Sequence, residues 1–227
     1  MSYARDEAFE MFIEEFGEAF HRRDVPEDVI ERFRGRLPDR LLGYWQNEGW
    51  CGYADGRFWT VNPEDYEDLL DFWLEGSGLE HFDRFHVVAR TAFGKLFVWG
   101  ERSGQCIDIS PAVRSILALP RDLRRRTPRE LDLDAIDLFA GAALKDGDFA
   151  SDAEGYLFEP ALRTLGRLEP DEMYGFEPAL VAGGTAVLAN LRRVKLHPHL
   201  LILRQLAQPT LPFSGGQVDQ LLKQQGF

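Results

Sequence analysis

The sequence is poor in cysteine, with Cys51 and Cys106 alone among 227 residues. Two cysteines build no disulfide scaffold, and free thiols fit a reducing cytoplasm. Apolar runs are short, and none approaches the ~18 residues that a membrane helix needs. The opening stretch MSYARDEAFE carries acids and has no apolar core, so it does not read as a signal peptide. Internal repeats and low-complexity tracts are absent from the sequence. Positive charge is scarce too: 26 Lys and Arg stand against 38 Asp and Glu, a net charge of −12. That balance argues against direct nucleic-acid binding and for basic partners. Apolar side chains are plentiful. A hydrophobic content of 44%, with 17 Phe and 5 Trp, excludes a disordered chain. The length predicts one or two domains with a substantial core.

The negative charge is unevenly placed. Residues 1–80 hold 20 acids and 8 basic residues, whereas residues 81–227 hold 18 of each. The whole excess lies in the first third, and such asymmetry points to an interaction surface.

Phe9, Phe12, Ile13, Phe16 and Phe20 recur at helical spacing and predict a helix over 7–20, with Glu7, Glu10, Glu14 and Glu18 on another face. Short helices follow from Val25-Pro26 and Pro38-Asp39. Residues 49–56 are rich in turn formers. Asn62, Pro63, Glu64 and Asp65 form a strong helix start, and Tyr66, Leu69, Leu70, Trp73 and Leu74 form its buried stripe. Strands are predicted at 58–61, 85–91, 95–101 and 105–109, the last three as a meander. The fold class is therefore α+β: N-terminal helices packed on a mostly antiparallel sheet, then a smaller, helix-rich α+β domain. The expected division is a first domain at 1–118, a linker at 119–130, a second domain at 131–208 and a tail at 209–227 that is polar and poorly ordered. In the second domain the sequence predicts a helix from Asp134 to Lys145, strands around Leu157-Phe158 and Tyr174–Phe176, and a long helix from about Thr185 to Ala207, interrupted at Pro198. The halves are expected to pack together.

Few residues offer chemistry. His197 and His199 are the one close histidine pair, but positions i and i+2 do not share a helix face, so no metal site is expected. Cys51 reads as a small packed thiol without a base beside it. Gly183-Gly184 lacks the lysine and spacing of a phosphate loop and reads as a left-handed turn. The run Arg121, Arg124, Arg125, Arg126 and Arg129 has no interleaved aromatics. It reads as a solvated linker or as an internal partner for the acidic third. No nucleophile–base set is legible, so neither catalysis nor a cofactor is expected.

The acids of the 62–75 helix stand out. At 100° per residue Glu64, Glu67, Asp68, Asp71 and Glu75 lie together, opposite the apolar stripe. Like charges four residues apart cost a helix roughly 0.2–0.5 kcal/mol per pair. No Lys or Arg falls between Arg57 and Arg84 to relieve them. Two readings stand: a solvated face of an acidic protein, or a docking surface for a basic partner. In the second reading Asp55 joins the set, since it lies in the turn-rich segment just before the strand that feeds this helix.

Several stretches resemble the GAD-like domain: Phe16-Gly17, Val25-Pro26, Leu37-Pro38-Asp39 to Tyr44-Trp45, Glu48 to Gly56, Phe58 to Pro63, Ala92-Phe93-Gly94 and Trp99-Gly100-Glu101. Glu172 to Leu180, Gly183-Gly184 and His199-Leu200 resemble the small C-terminal domain that often accompanies it. The pairing is similar to type VI secretion immunity proteins that neutralise DNase toxins. The resemblance implies a cytoplasmic, non-catalytic inhibitor whose partner is a secreted nuclease toxin, with no membrane, nucleic acid or small-molecule substrate of its own. An acidic surface suits a nuclease site built to hold phosphate. A non-catalytic regulatory or scaffold module of the same fold remains the alternative.

Overall fold

The computed structural model describes residues 5–119 and 121–212. Its centre is a seven-stranded antiparallel meander in which the strands follow chain order: β1 (Phe20–Arg23), β2 (Trp50–Tyr53), β3 (Phe58–Thr60), β4 (Phe85–Thr91), β5 (Leu96–Gly100), β6 (Gly104–Ser110) and β7 (Ser115–Ala118). The four predicted strands are β3 to β6. The sequence reading missed β1, β2 and β7. β2 lies in the glycine-rich segment read as a turn. Its Gly52 pairs with Phe20, and a Cβ there would stand 2.7 Å from the Phe20 ring, so the glycine admits β1 rather than breaking the strand.

One face of the sheet carries α1 (Glu7–Phe16), α2 (Glu27–Phe33), α3 (Asp39–Glu48) and α5 (Pro128–Ala140). Asp6 caps α1 by accepting from the Phe9 N–H. Gly17, at φ 76°, ends the helix four residues before the predicted limit, and Phe20 opens β1 instead. Phe9, Phe12 and Phe16 pack with Tyr53, Phe58 and Phe139 as an aromatic cluster. α5 starts six residues earlier than predicted because Thr127 and Glu130 form a capping box around Pro128. A register shift between Val87 and Ala89 interrupts the alternation of β4, and Val88 and Ala89 both join this layer while Val87 faces the other.

The opposite face receives α4 (Glu67–Leu74), α6 (Phe158–Leu165), the two-stranded sheet of β10 (Glu172–Phe176) and β11 (Leu191–Lys195), and α7 (Leu196–Leu206). A small hairpin, β8 (Ala150–Ser151) with β9 (Gly155–Tyr156), precedes α6. The predicted strand at Leu157-Phe158 is instead the start of α6, where the Asp148 carboxylate accepts from the Phe158 N–H. The predicted long helix from Thr185 divides. Residues 191–195 pair along the whole length of β10, and only then does α7 begin. Pro198 falls in its first turn, where its missing N–H costs nothing. Residues 213–227 of the expected tail lie outside the described residues. Thr210 bonds through its backbone to Arg114 and Ile116 beside β7.

The arginine run between β7 and α5 pairs locally. Arg124 meets Glu130, and Arg126 meets Asp134 and the Ser103 carbonyl. Those acids come from α5, not from the acidic third.

The two halves of the chain meet at the β4–β5 turn. The Ala92 carbonyl accepts from the Tyr174 N–H at 2.9 Å, and the Phe93 and Tyr174 rings lie 5.7 Å apart. Gly94, at φ +76°, presses against the second half, where a Cβ would stand 2.7 Å from Met173 Cε. Arg90, fully buried, donates to the Pro170 carbonyl at 2.8 Å and stacks over Trp59. Arg57 reaches Asp148 and covers Phe158. The core is continuous across this joint, from Trp59 and Trp73 to Leu200.

A side chain at position 94 must therefore both adopt a left-handed backbone and displace Met173. Gly94→Ala should lower stability by about 1–3 kcal/mol in urea unfolding, with one cooperative transition retained. An unchanged midpoint would show that the joint accommodates the methyl group.

Candidate protein-binding groove

α4 is set up by local chemistry. The Asn62 side chain accepts from the Glu64 N–H, and Pro63 opens a 3-10 turn over Pro63–Tyr66 that leads into the α-helix. Leu69, Leu70, Trp73 and Leu74 are buried against the sheet. The acids of α4 are thereby turned outward. After the helix, the Gly76 N–H and the Ser77 hydroxyl both donate to the Glu80 carboxylate, which folds residues 76–80 into a compact turn.

Between α4, this turn and the entry to β4 lies a cleft of about 730 Å³. Glu67, Asp71 and Glu75 stand along one wall, one helical turn apart, with Glu80 at the turn. Leu70, Phe72, Leu74 and Phe85 give the cleft apolar surface. Asp83, Arg84 and His86 form the other side. Asp83 is buried and consumed internally: its carboxylate accepts from Arg102 and from the backbone and hydroxyl of Ser103. Arg84 is exposed and lies 3.8 Å from Glu101.

The six acids proposed from sequence divide into two sets. Asp55 sits in a short helical turn at φ 57° and pairs with Arg167 of the second half, whose guanidinium stacks on Phe20. Glu64 lies in the 3-10 turn, off the α4 face, and is held by a forked contact from Arg32 at 2.8 and 3.1 Å. Asp68 meets His197 Nε2 at 3.0 Å, and that contact holds its carboxyl below the usual range. Glu67, Asp71 and Glu75 have no side-chain partner among the described residues, and these three share the cleft. Sequence reasoning missed Glu80, although it lies in the same stretch free of Lys and Arg. It also missed Arg84 and His86, which reach the cleft only through strand pairing.

The remaining candidates take structural roles. His197 turns to Asp68, whereas His199 lies against Gly175, where burial pushes its pKa down. Among the described residues no group of three or more His, Cys, Asp or Glu side chains is placed to hold a metal ion. Cys51 is buried, and burial raises its thiol pKa. Gly183 closes the turn at Leu180–Ala182 in a left-handed conformation. The second-half residues of the family motif are used internally. Tyr174 and Phe176 are buried, and Glu172 pairs with Arg193. Among the described residues no helix is long and apolar enough to cross a membrane.

Residues 7–113 match the family model of the GAD-like domain, and residues 134–207 match that of the C-terminal domain of the T6SS immunity protein Tdi1. The two matches together span most of the chain, in the order the sequence motifs implied. The chain thus carries a GAD-like domain followed by the C-terminal domain of a T6SS immunity protein. A family of immunity proteins implies a toxin as protein partner. The crystal structure of Atu4351 from Agrobacterium tumefaciens has the same fold, with a TM-score of 0.79 over 89% of this chain and 91% of that one, at 22% identity. No curated protein matches the chain by sequence.

His86 gives the cleft a titratable base. Its side chain is buried, and Nε2 lies 2.9 Å from Glu101. Burial lowers its pKa more than Glu101 raises it, with Arg36 and Arg84 also opposing the charge. For Glu101, burial pushes the pKa up, and hydrogen bonds from His86 and Arg36 pull it further down. At neutral pH this pairs a neutral imidazole with a carboxylate, so Nε2–H donates to Glu101. Nδ1 is left as a buried acceptor with no partner, as observed. The folded protein thus binds fewer protons at His86 than the unfolded chain does. Stability at this site is present above the ordinary histidine pKa and is lost as pH falls below it. His86→Gln should show a shallower loss of stability than the parent between about pH 6.5 and 5. Identical slopes in urea unfolding across that window would rule out His86 as the source.

Proposed function

We propose that the protein neutralises a cognate secreted DNase toxin in the cytoplasm, and that the acidic cleft beside α4 engages the basic surface of that nuclease. The observation that carries this reading is the contrast among the acids. Asp55 and Glu64 are matched by arginines of this chain and Asp68 by the His197 imidazole, whereas Glu67, Asp71 and Glu75 face the cleft unmatched. Unmatched like charges one turn apart disfavour the helix on their own. A cationic partner turns that local cost into attraction, steers encounter and stabilises the docked state. The apolar surface between the acids would accept the aliphatic stems of arginine or lysine side chains. The role needs no catalytic group, and inhibition by occupation suits a surface of this kind.

The test is binding to the cognate nuclease toxin, with DNA degradation as the functional readout. Glu67→Lys/Asp71→Lys, once circular dichroism confirms that it folds, should associate more slowly and with weaker salt dependence. It should also dissociate faster, at a total cost of at least about 2 kcal/mol. Unchanged rates at both low and high salt would remove the cleft from the interface.

A further inference from the structure

α7, in the second domain, holds the acidic helix from behind. Arg204 is 5% exposed and has no carboxylate partner among the described residues. Its Nε donates to the Phe72 carbonyl at 3.0 Å and its Nη2 to the Glu75 carbonyl at 3.1 Å. The guanidinium also lies 5.1 Å from the centre of the Phe72 ring. Both acceptors are carbonyls at the C-terminal end of α4, which no residue within the helix can satisfy. A cation there also meets the negative end of the helix dipole. Phe72 and Glu75 are themselves residues of the cleft. His197, in the first turn of α7, makes the second attachment through Asp68.

We infer that Arg204 is a positioning residue for the acidic cleft: it fixes the last turn of α4, and with it the carboxylates of Asp71 and Glu75, so that the recognition surface of the first domain depends on the second. The inference rests on the reading of the cleft as the toxin-binding surface. The geometry gives it a specific form. A planar guanidinium spans two carbonyls three residues apart and covers an aromatic ring. Arg204 touches the backbone of cleft residues and leaves their carboxylates free. It therefore fixes where the charges stand without neutralising them by direct pairing.

The experiment is a double-mutant cycle on the full chain. Arg204→Met keeps the apolar stem and removes the donors, and Glu75→Gln removes one cleft charge at nearly constant shape. Both singles and the double are measured for dissociation from the same nuclease toxin in catalytically inactivated form. Variants enter the cycle after circular dichroism shows the parent's fold. Arg204→Met should speed dissociation about 2- to 30-fold. In that background Glu75→Gln should cost less than it does in the parent, because its carboxylate is no longer held in place. A merely structural role predicts additivity instead. If Arg204→Met does not fold, Arg204→Lys takes its place, since it keeps the charge and loses the fork. Unchanged dissociation or full additivity, with Glu67→Lys/Asp71→Lys still weakening binding, overturns this inference alone. An unaffected Glu67→Lys/Asp71→Lys variant removes the cleft from the interface, and this inference with it.

Discussion

The close approach of the β4–β5 turn to β10 governs the rest of the molecule. A backbone hydrogen bond from Tyr174 to Ala92, and a glycine with no room for a side chain, bring the two halves within van der Waals distance. Everything on that face of the sheet follows from this contact. Phe93 reaches the aromatic residues Phe149 and Tyr174, Arg90 finds the Pro170 carbonyl, and α7 lies down beside α4. The motifs Ala92-Phe93-Gly94 and Glu172–Phe176 are thus two sides of one joint. Their residue types answer packing requirements.

Electrostatics are arranged around the same geometry. The first 80 residues carry the whole net charge, yet most of the structured contacts made by their arginines and by neighbouring cations pair acids away. Arg5 holds Glu18 and Glu48, Arg23 holds Asp65, Arg32 holds Asp28 and Glu64, and Arg40 holds Asp6. Exposed pairs of this kind add little stability, about 0–1 kcal/mol each. Their greater effect is to thin out the negative field over most of the surface and to leave it concentrated where no cation pairs with the acids. The unmatched acids of α4 are one such place, and Glu7, Glu10 and Glu14 on α1 are another.

The apolar periodicities made the layers legible. The Phe9–Phe16 and Tyr66–Trp73 stripes are buried, and the central strands of the sheet coincide with the alternating runs. Local propensity failed where partners far away in sequence decide. Gly52 reads as a turn until Phe20 is placed across it, and Leu191–Lys195 reads as helix until β10 supplies a ladder. The same limit applies to the cleft. The absence of Lys and Arg from residues 58–83 exposed one wall, including Glu67, Asp71 and Glu75. The division between matched and unmatched acids needed Arg167 and His197, each more than a hundred residues away. The opposite wall, with Arg84 and His86, follows from pairing between β4 and β5 and from the return of Glu101 to that edge.

The shared core has a consequence for how such chains diversify. One route to a variant chain is to exchange one half of the gene for that of a relative. Here the seam resists such exchange. A transplanted C-terminal half must bring a residue shaped for the socket over Gly94, a carbonyl for Arg90 and a guanidinium for the end of α4, all in register. Innovation by crossover is therefore restricted to lineages that have kept the seam compatible. Point changes at the exposed rim of the cleft carry no such constraint.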